Sequence, residues 1–323
     1  MINKNDSKYS ELNNIIVEAE KHNSWFSNKN IINVISYWGN QLKENNLREW
    51  ISEYMIINQS SNVAIIMAGN FPLAGLHDLI SVIITGNNAI IKPSSDDKIL
   101  INYIVNYLNN KFPKTKDIIK ICYDKLVDFD KVIATGSNNT FKYFEYYFRG
   151  KKSLLRKNRT SVAILTGTET IDELRLLSDD IFMYFGLGCR NISKLFIPLG
   201  YDINQLKTKL NKYDYIINHH KYSNNYNYQK TIKFMNSEVF TDCDYFILSE
   251  SENYAPPISL IYFEYYNDID EVKKKISLNN DKIQCIVSRF DIEKSIGFGE
   301  AQNPKLNQYA DNIDTLKFLL TSS

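Results

Sequence analysis

Over roughly the first sixty residues, apolar side chains recur at helical spacing: Leu12, Ile15, Ile16 and Val17, then Ile31, Ile32, Val34, Ile35 and Trp38. This predicts amphipathic helices. The pattern then changes. Residues 63–68 form a continuous apolar run, the mark of a buried strand, which ends at Gly69-Asn70. An apolar helix is predicted from 73 to about 85, stopped by Gly86-Asn87-Asn88, and Ala89-Ile90-Ile91 opens the next strand. Ile101, Ile104, Val105 and Leu108 mark another helix, and 118–122 and 131–134 read as two further short strands. Strand and helix alternating at this spacing predict a parallel, doubly wound α/β sheet, which binds ligands beyond the carboxyl ends of its strands. Asn70, Lys92 and the string Thr135-Gly136-Ser137-Asn138-Asn139-Thr140 all stand at such ends.

A second α/β unit is predicted from Ser161, with strands over 162–165, 194–197, 258–263 and 282–287 and a helix over 171–185. That helix leads into Gly186-Leu187-Gly188-Cys189-Arg190-Asn191. Two glycines let the backbone turn sharply and approach a substrate closely, and a cysteine projects from the turn. A nucleophile at Cys189, an amide donor at Asn70 and a cation before a proline at Lys92 suit acyl transfer with a phosphate-bearing cofactor.

Composition narrows the class. The 323 residues suffice for about two domains, with 44% hydrophobic and 23% charged residues and a net charge of +1. Nothing in that balance draws the chain to nucleic acid or to an anionic membrane. Residues 1–6 are polar, without the apolar core of a leader, and no run is long enough to span a bilayer. Four cysteines without a Cys-x-x-Cys pair, and four histidines without ligand spacing, point to free thiols in a cytoplasmic setting and to no metal.

Asn70-Phe71-Pro72-Leu73, Thr85-Gly86-Asn87, Ile91-Lys92-Pro93-Ser94, Ala134-Thr135-Gly136-Ser137, Gly188-Cys189 and Glu252-Asn253-Tyr254-Ala255-Pro256 follow one another in this order. The set resembles the acyl-CoA reductase family, typified by the reductase of the fatty acid reductase of luminous bacteria, within the aldehyde dehydrogenase superfamily. The resemblance implies an aldehyde-dehydrogenase-like fold. N-terminal helices and a dinucleotide-binding domain would occupy 1–160, and an α/β domain with the catalytic cysteine 161–290. A C-terminal segment, 291–323, is free to return to the first domain. The site would lie in the cleft between the domains. It further implies that Cys189 attacks an acyl thioester while Asn70 and the Cys189 backbone N–H bind the oxyanion. Lys92, with Ser94 and Ser95 beside it, would meet the adenosine ribose or its 2′-phosphate. Gly136 and Ser137 would pack on the pyrophosphate, and Glu252 would hold the nicotinamide ribose.

Two departures sharpen the expectation. Hydrolytic members carry a general-base Glu where this chain reads Leu155-Arg156-Lys157-Asn158-Arg159. Without that carboxylate, thioester reduction is favoured over hydrolysis to an acid. Ser95 stands where NAD-preferring relatives often have Glu, which removes repulsion against a 2′-phosphate and favours NADPH. The expected substrate is an acyl-CoA or acyl-carrier thioester, with room for an acyl-transferring partner enzyme and for a homo-oligomer. The rival readings are an acyltransferase that uses Cys189 without reduction and a non-catalytic, partner-binding descendant. Arg149, Lys151, Lys152, Arg156, Lys157 and Arg159 form an acid-free run suited to phosphates. Cys122, Cys285 and His77 read as structural, Cys243 as neither nucleophile nor ligand, and 222–228 with His219-His220 as an irregular loop. No role attaches to 297–302.

Overall fold

A computed structural model describes residues 10–56 and 60–321; the polar start, 1–6, lies outside the described residues. The chain divides into two compact units, Met1–Asn158 with Lys305–Ser323, and Arg159–Pro304. The first unit opens with α1 (Ser10–His22), α2 (Asn28–Gln41) and α3 (Glu44–Ile51). These bury Ile16, Ile31, Val34 and Trp38 of the face that the periodicity marks, and Trp50 besides, while Val17 is exposed.

The sheet of this unit is built from β1 (Asn62–Ile66), α4 (Leu76–Ile84), β2 (Asn88–Lys92), α5 (Lys98–Lys111), α6 (Thr115–Ile118), β3 (Ile119–Ile121), β4 (Lys131–Thr135), α7 (Asn138–Tyr147) and β5 (Lys152–Arg156). All neighbours are parallel, in the order β3-β2-β1-β4-β5. Val63, Ala64 and Ile65 are covered on both faces, as a central parallel strand requires. The order reverses between β1 and β4, which makes their carboxyl ends the switch point of the sheet. Helix α4 starts at Leu76 rather than 73, because Leu73 is left-handed, at φ 58°.

The second unit comprises β6 (Thr160–Ile164), α8 (Ile171–Phe182), β7 (Ile192–Pro198), α9 (Asn204–Lys209), α10 (His220–Met235), β8 (Thr241–Asp242), β9 (Ile247–Glu250), β10 (Leu260–Tyr266), α11 (Ile269–Leu278), β11 (Ile283–Ser288) and β12 (Ser295–Ile296). Its sheet runs β12-β11-β6-β7-β10-β9-β8, antiparallel only at β8–β9. Two expectations are corrected here. Helix α8 ends at Phe182, three residues early. The tyrosine-rich stretch 222–228 is not a loop but part of α10, capped by His219 and burying Tyr222 and Tyr226 one turn apart. Tyrosine serves there as the apolar face, and the Tyr226 hydroxyl donates to Asp242.

The chain closes in the first unit with α12 (Thr315–Leu320). It is fastened there by a buried cation. Arg156, at the end of β5, donates from Nη1 to both oxygens of Asp78 on α4, at 2.8 and 2.7 Å, and from Nη2 to Thr315 Oγ1, at 2.9 Å. All three residues are buried. The basic run is therefore largely structural: Lys152 and Arg156 lie in strand β5, Lys151 Nζ donates to the Phe129 carbonyl, Lys152 Nζ to the Thr321 carbonyl, and Arg159 Nη1 to the Asn280 carbonyl.

Replacing Arg156 by Met leaves the Asp78 carboxylate buried without a counter-ion and should cost about 3–5 kcal/mol. Adding Asp78→Leu should recover most of that loss. Denaturant unfolding of the wild type, the single variant and the pair measures both, and a single variant as stable as the wild type would show the ion pair to be dispensable.

Candidate active site

In the first unit the candidate residues gather at the carboxyl ends of β1, β2 and β4. Beyond β1 the chain passes to Gly69 and to Asn70, which is exposed. This loop needs outside support. The left-handed backbone at Leu73 is held by its N–H, which donates to Asp97 Oδ2 at 2.7 Å. Burial holds the Asp97 carboxyl well above the usual carboxylate range. A Cβ at Gly69 would stand 2.3 Å from Ser94 Oγ, so only glycine lets the loops after β1 and β2 pack together. Asn70 and Ser94 are thus positioned by one contact. Ser94 Oγ also accepts the Asp96 N–H, at 3.3 Å, and the exposed Ser95 offers its carbonyl to His22 Nε2, at 2.7 Å. Lys92, in register with Ile66 of β1, donates from Nζ to the Asp124 carbonyl at 2.8 Å.

After β4, a Cβ at Gly136 would meet Phe144 at 2.8 Å, so the strand can turn closely into α7. Ser137 caps α7, its hydroxyl accepting the Thr140 N–H at 3.2 Å. A capped helix N-terminus thus stands at the switch point, where doubly wound sheets take a phosphate.

In the second unit the turn bearing Cys189 starts from backbone few residues adopt. Tyr184, Phe185 and Gly186 are successively left-handed, at φ 55°, 59° and 74°. Asn191, 3% exposed, holds the turn. Its Nδ2 donates to the carbonyls of Asp180, Ile181 and Met183 at 3.2, 3.1 and 2.9 Å, and its Oδ1 accepts the Gly188 N–H at 2.8 Å. The carbonyl of the half-buried Cys189 accepts from Ser161 Oγ at 2.9 Å, and Ser161 Oγ in turn accepts the Cys285 N–H at 3.2 Å.

The stretch 297–302 acquires a role here. Arg190 Nε donates to the Ala301 carbonyl at 2.6 Å. The N–H groups of Gly299 and Ala301 donate to the two oxygens of Asp180 at 2.6 and 3.0 Å. Burial pushes the Asp180 carboxyl up to about 7, against the pull of those two N–H groups and Arg190. The residues flanking Cys189 are thereby strapped to α8.

Glu252 is exposed just beyond β9. Its loop rests on β7, which starts at Ile192, directly after the cysteine turn: Ser193 Oγ donates to the Tyr254 carbonyl at 2.8 Å and Lys194 Nζ to the Ser251 carbonyl at 2.9 Å. Lys194 is fully buried, paired with Glu264 at 2.6 Å, and lies 4.8 Å from the Tyr254 ring centre. Burial lowers its pKa and Glu264 opposes that shift. Cys285 lies buried in β11, and burial pushes the Cys243 thiol up to about 12, both as structural thiols should be. His77 packs among Trp38, Trp50 and Tyr309 and donates from Nε2 to the Leu306 carbonyl at 2.9 Å. Among the described residues no three His, Cys, Asp or Glu side chains gather to hold a metal, and no helix is long and apolar enough to cross a membrane.

No protein-family model matches the chain. It is similar to the long-chain acyl-protein thioester reductase of Aliivibrio fischeri, with 25% identity over 194 residues that cover 53% of this chain and 40% of the reductase. The chain therefore spans less than half the length of that curated relative. Among solved structures, the putative aldehyde dehydrogenase PutA of Anabaena variabilis superimposes with a TM-score of 0.64 at 14% identity, covering 98% of this chain and 78% of that one. The NAD-dependent benzaldehyde dehydrogenase of Corynebacterium glutamicum gives 0.62 at 13%, covering 85% and 72%. The indole-3-acetaldehyde dehydrogenase AldA of P. syringae, solved with NAD+ and IAA, gives 0.57 at 13%, covering 73% and 57%. The fold is that of the aldehyde dehydrogenases.

That fold is the one the ordered motifs imply. The aldehyde dehydrogenase landmarks do not reach Asn191, Asp180, Ser161, Ser193 or Lys194, which in this chain hold the cysteine turn and the Glu252 loop. The one local signal for them is an asparagine two residues after the cysteine.

Asp180 has its folded pKa raised, so between its ordinary value near 3.8 and about 7 the native state binds the extra proton. Stability should fall as pH rises through that window, by up to about 1.4 kcal/mol per pH unit, and level off above it. Unfolding free energies of wild type and Asp180→Asn against pH test this: the wild type should lose ground to the variant from pH 5 to 8, and parallel curves would refute it.

Proposed function

We propose that this chain reduces an acyl thioester to an aldehyde through an acyl-cysteine at Cys189. The observation that carries the reading is Cys189 on a turn whose backbone is tied on both sides. The similarity to a thioester reductase supports the substrate class.

On this reading the Cys189 thiolate attacks the thioester carbonyl. A carbon–sulfur bond forms and the carbonyl electron pair moves onto oxygen. The Asn70 side-chain amide and the Cys189 N–H stabilise that oxyanion; losing one such donor costs about 10²–10³ in rate. The carbonyl then re-forms and the bond to the carrier sulfur breaks. The carrier thiolate, coenzyme A or a protein thiol, leaves and takes a proton from water. NADPH, when bound, supplies the hydride that takes the acyl-enzyme to the aldehyde level. The Cys189 thiolate departs as the aldehyde forms.

The residues of the first unit fit a dinucleotide: a capped helix N-terminus at the switch point, Gly136 beside it, and the Lys92 cation at the end of β2, on the other side of β1. Gly136 and Ser137 would meet the pyrophosphate, and Lys92, Ser94 and Ser95 the adenosine ribose and its 2′-phosphate. Glu252 would hold the nicotinamide ribose. With Arg156 committed to Asp78, the segment 155–159 offers no base to activate water. The enzyme would work in the cytoplasm, where its thiol stays reduced.

Absorbance of reduced nicotinamide, followed with a panel of acyl-CoAs, should show thioester-dependent NADPH loss that is abolished in Cys189→Ala and falls about 10²–10³-fold in Asn70→Ala. Ser95→Glu should move the preference from NADPH to NADH. Acyl mass on Cys189 without NADPH loss would make the chain an acyltransferase. An inert Cys189 without nucleotide affinity would make it a binding protein.

A further inference from the structure

We infer that Asn191 is the positioning residue of the nucleophile: its one carboxamide both ties down the end of helix α8 and holds the N–H of Gly188, the residue before Cys189. The inference rests on the reading of Cys189 as the reacting thiol.

Helix α8 ends at Phe182; the Met183 N–H still meets the Asp179 carbonyl, while the carbonyls of Asp180 and Ile181 take side-chain donors, Gln302 Nε2 joining Asn191 on the first. The usual remedy is a glycine C-cap, but here the chain runs instead through three left-handed residues, two of them aromatic. Such backbone persists where its surroundings over-determine it. The two amide hydrogens of Asn191 serve three carbonyls, of Asp180, Ile181 and Met183, and so turn the helix end into an anchor.

A residue that only capped α8 would stop there. Asn191 goes further: its Oδ1 takes the Gly188 N–H at 2.8 Å, and its own N–H donates to the Gly188 carbonyl at 3.0 Å. Gly188 and Asn191 thus close a loop around Cys189 and Arg190. The Ser161 hydroxyl holds the Cys189 carbonyl from the far side. The peptide before Cys189 is therefore held by the Asn191 main-chain N–H and the peptide after it by the buried Ser161 side chain. These peptides orient the thiol and the N–H assigned to the oxyanion. Because Asn191 is 3% exposed, the hold is shielded from competing water.

The test is the rate at which iodoacetamide alkylates Cys189 as a function of pH, read by peptide mass spectrometry in wild type, Asn191→Ala, Asn191→Asp and Leu177→Ala. Leu177 is buried in α8 away from the turn, so its truncation destabilises the unit without freeing Cys189. Asn191→Asp keeps the acceptor for Gly188 but loses the donors to α8, and it replaces the alanine variant should that one not fold. In a folded Asn191 variant the alkylation rate at neutral pH should fall about tenfold or more, since a misplacement of about 1 Å at a reacting group costs on the order of 10². The midpoint of the pH profile should rise, and Leu177→Ala should change neither. A folded Asn191 variant with the wild-type rate and midpoint, or an equal change in Leu177→Ala, would overturn the inference. A wild-type Cys189 that reacts no faster than Cys122 would instead overturn the reading beneath it.

Discussion

A helix that ends in the interior has to satisfy its last carbonyls without water, and the second unit is organised around that requirement. At the end of α8 the Asn191 carboxamide donates to three carbonyls, sharing that of Asp180 with Gln302 Nε2. A glycine would have left the end flexible and the turn unsupported. A carboxamide brings donors and an acceptor together, so one side chain can face the helix and the cysteine turn at once. The neighbouring contacts depend on it. Asp180, whose carbonyl Asn191 binds, holds Gly299 and Ala301 with its carboxyl, and Ala301 holds Arg190. Beyond the turn, β7 carries the same order to the Glu252 loop through Ser193 and Lys194.

The first unit meets a related constraint with different chemistry. Leu73 is left-handed, and a buried carboxyl, Asp97, takes its N–H. Gly69 then lets that loop lie against Ser94. In both units a loop offered as chemical machinery is strained and is held by a buried polar side chain. Such an arrangement lowers stability locally and limits the conformations of the loop, which suits groups that must be oriented before substrate arrives.

The sheets were legible because parallel strands buried on both faces read as unbroken apolar runs, as at 63–65, 162–164 and 195–197. What escaped is what apolar pattern does not encode. Strand β5 lies in a basic run, and Arg156 looks like a surface cation until Asp78 and Thr315, from α4 and α12, close around it. Helix α10 hides because its buried face is tyrosine in a field of asparagine and lysine. The end of α8 is misread because the apolar string Phe182-Met183-Tyr184-Phe185 continues past the point where the backbone leaves the helix. Of the candidate residues, the motifs pick out the positions that would touch a ligand. The side chains that hold them act over distance in sequence, as Asp97 does on Leu73 or Ser161 on Cys189, and no local pattern marks them.

Arg156 also bears on the chemistry proposed. The segment 155–159 is where hydrolytic aldehyde dehydrogenases would carry a carboxylate to activate water. Here its most buried member is an arginine engaged by Asp78 on two hydrogen bonds. To turn this chain into a hydrolytic enzyme would take more than adding a carboxylate nearby. A Glu at 156 would put a second acid against Asp78 and sever the tie to Thr315, so the change that creates a base also unfastens α12. On the proposed reading, the residue that fastens the first unit also leaves segment 155–159 without a carboxylate, which favours reduction, or transfer to another thiol, as the way out of an acyl-cysteine.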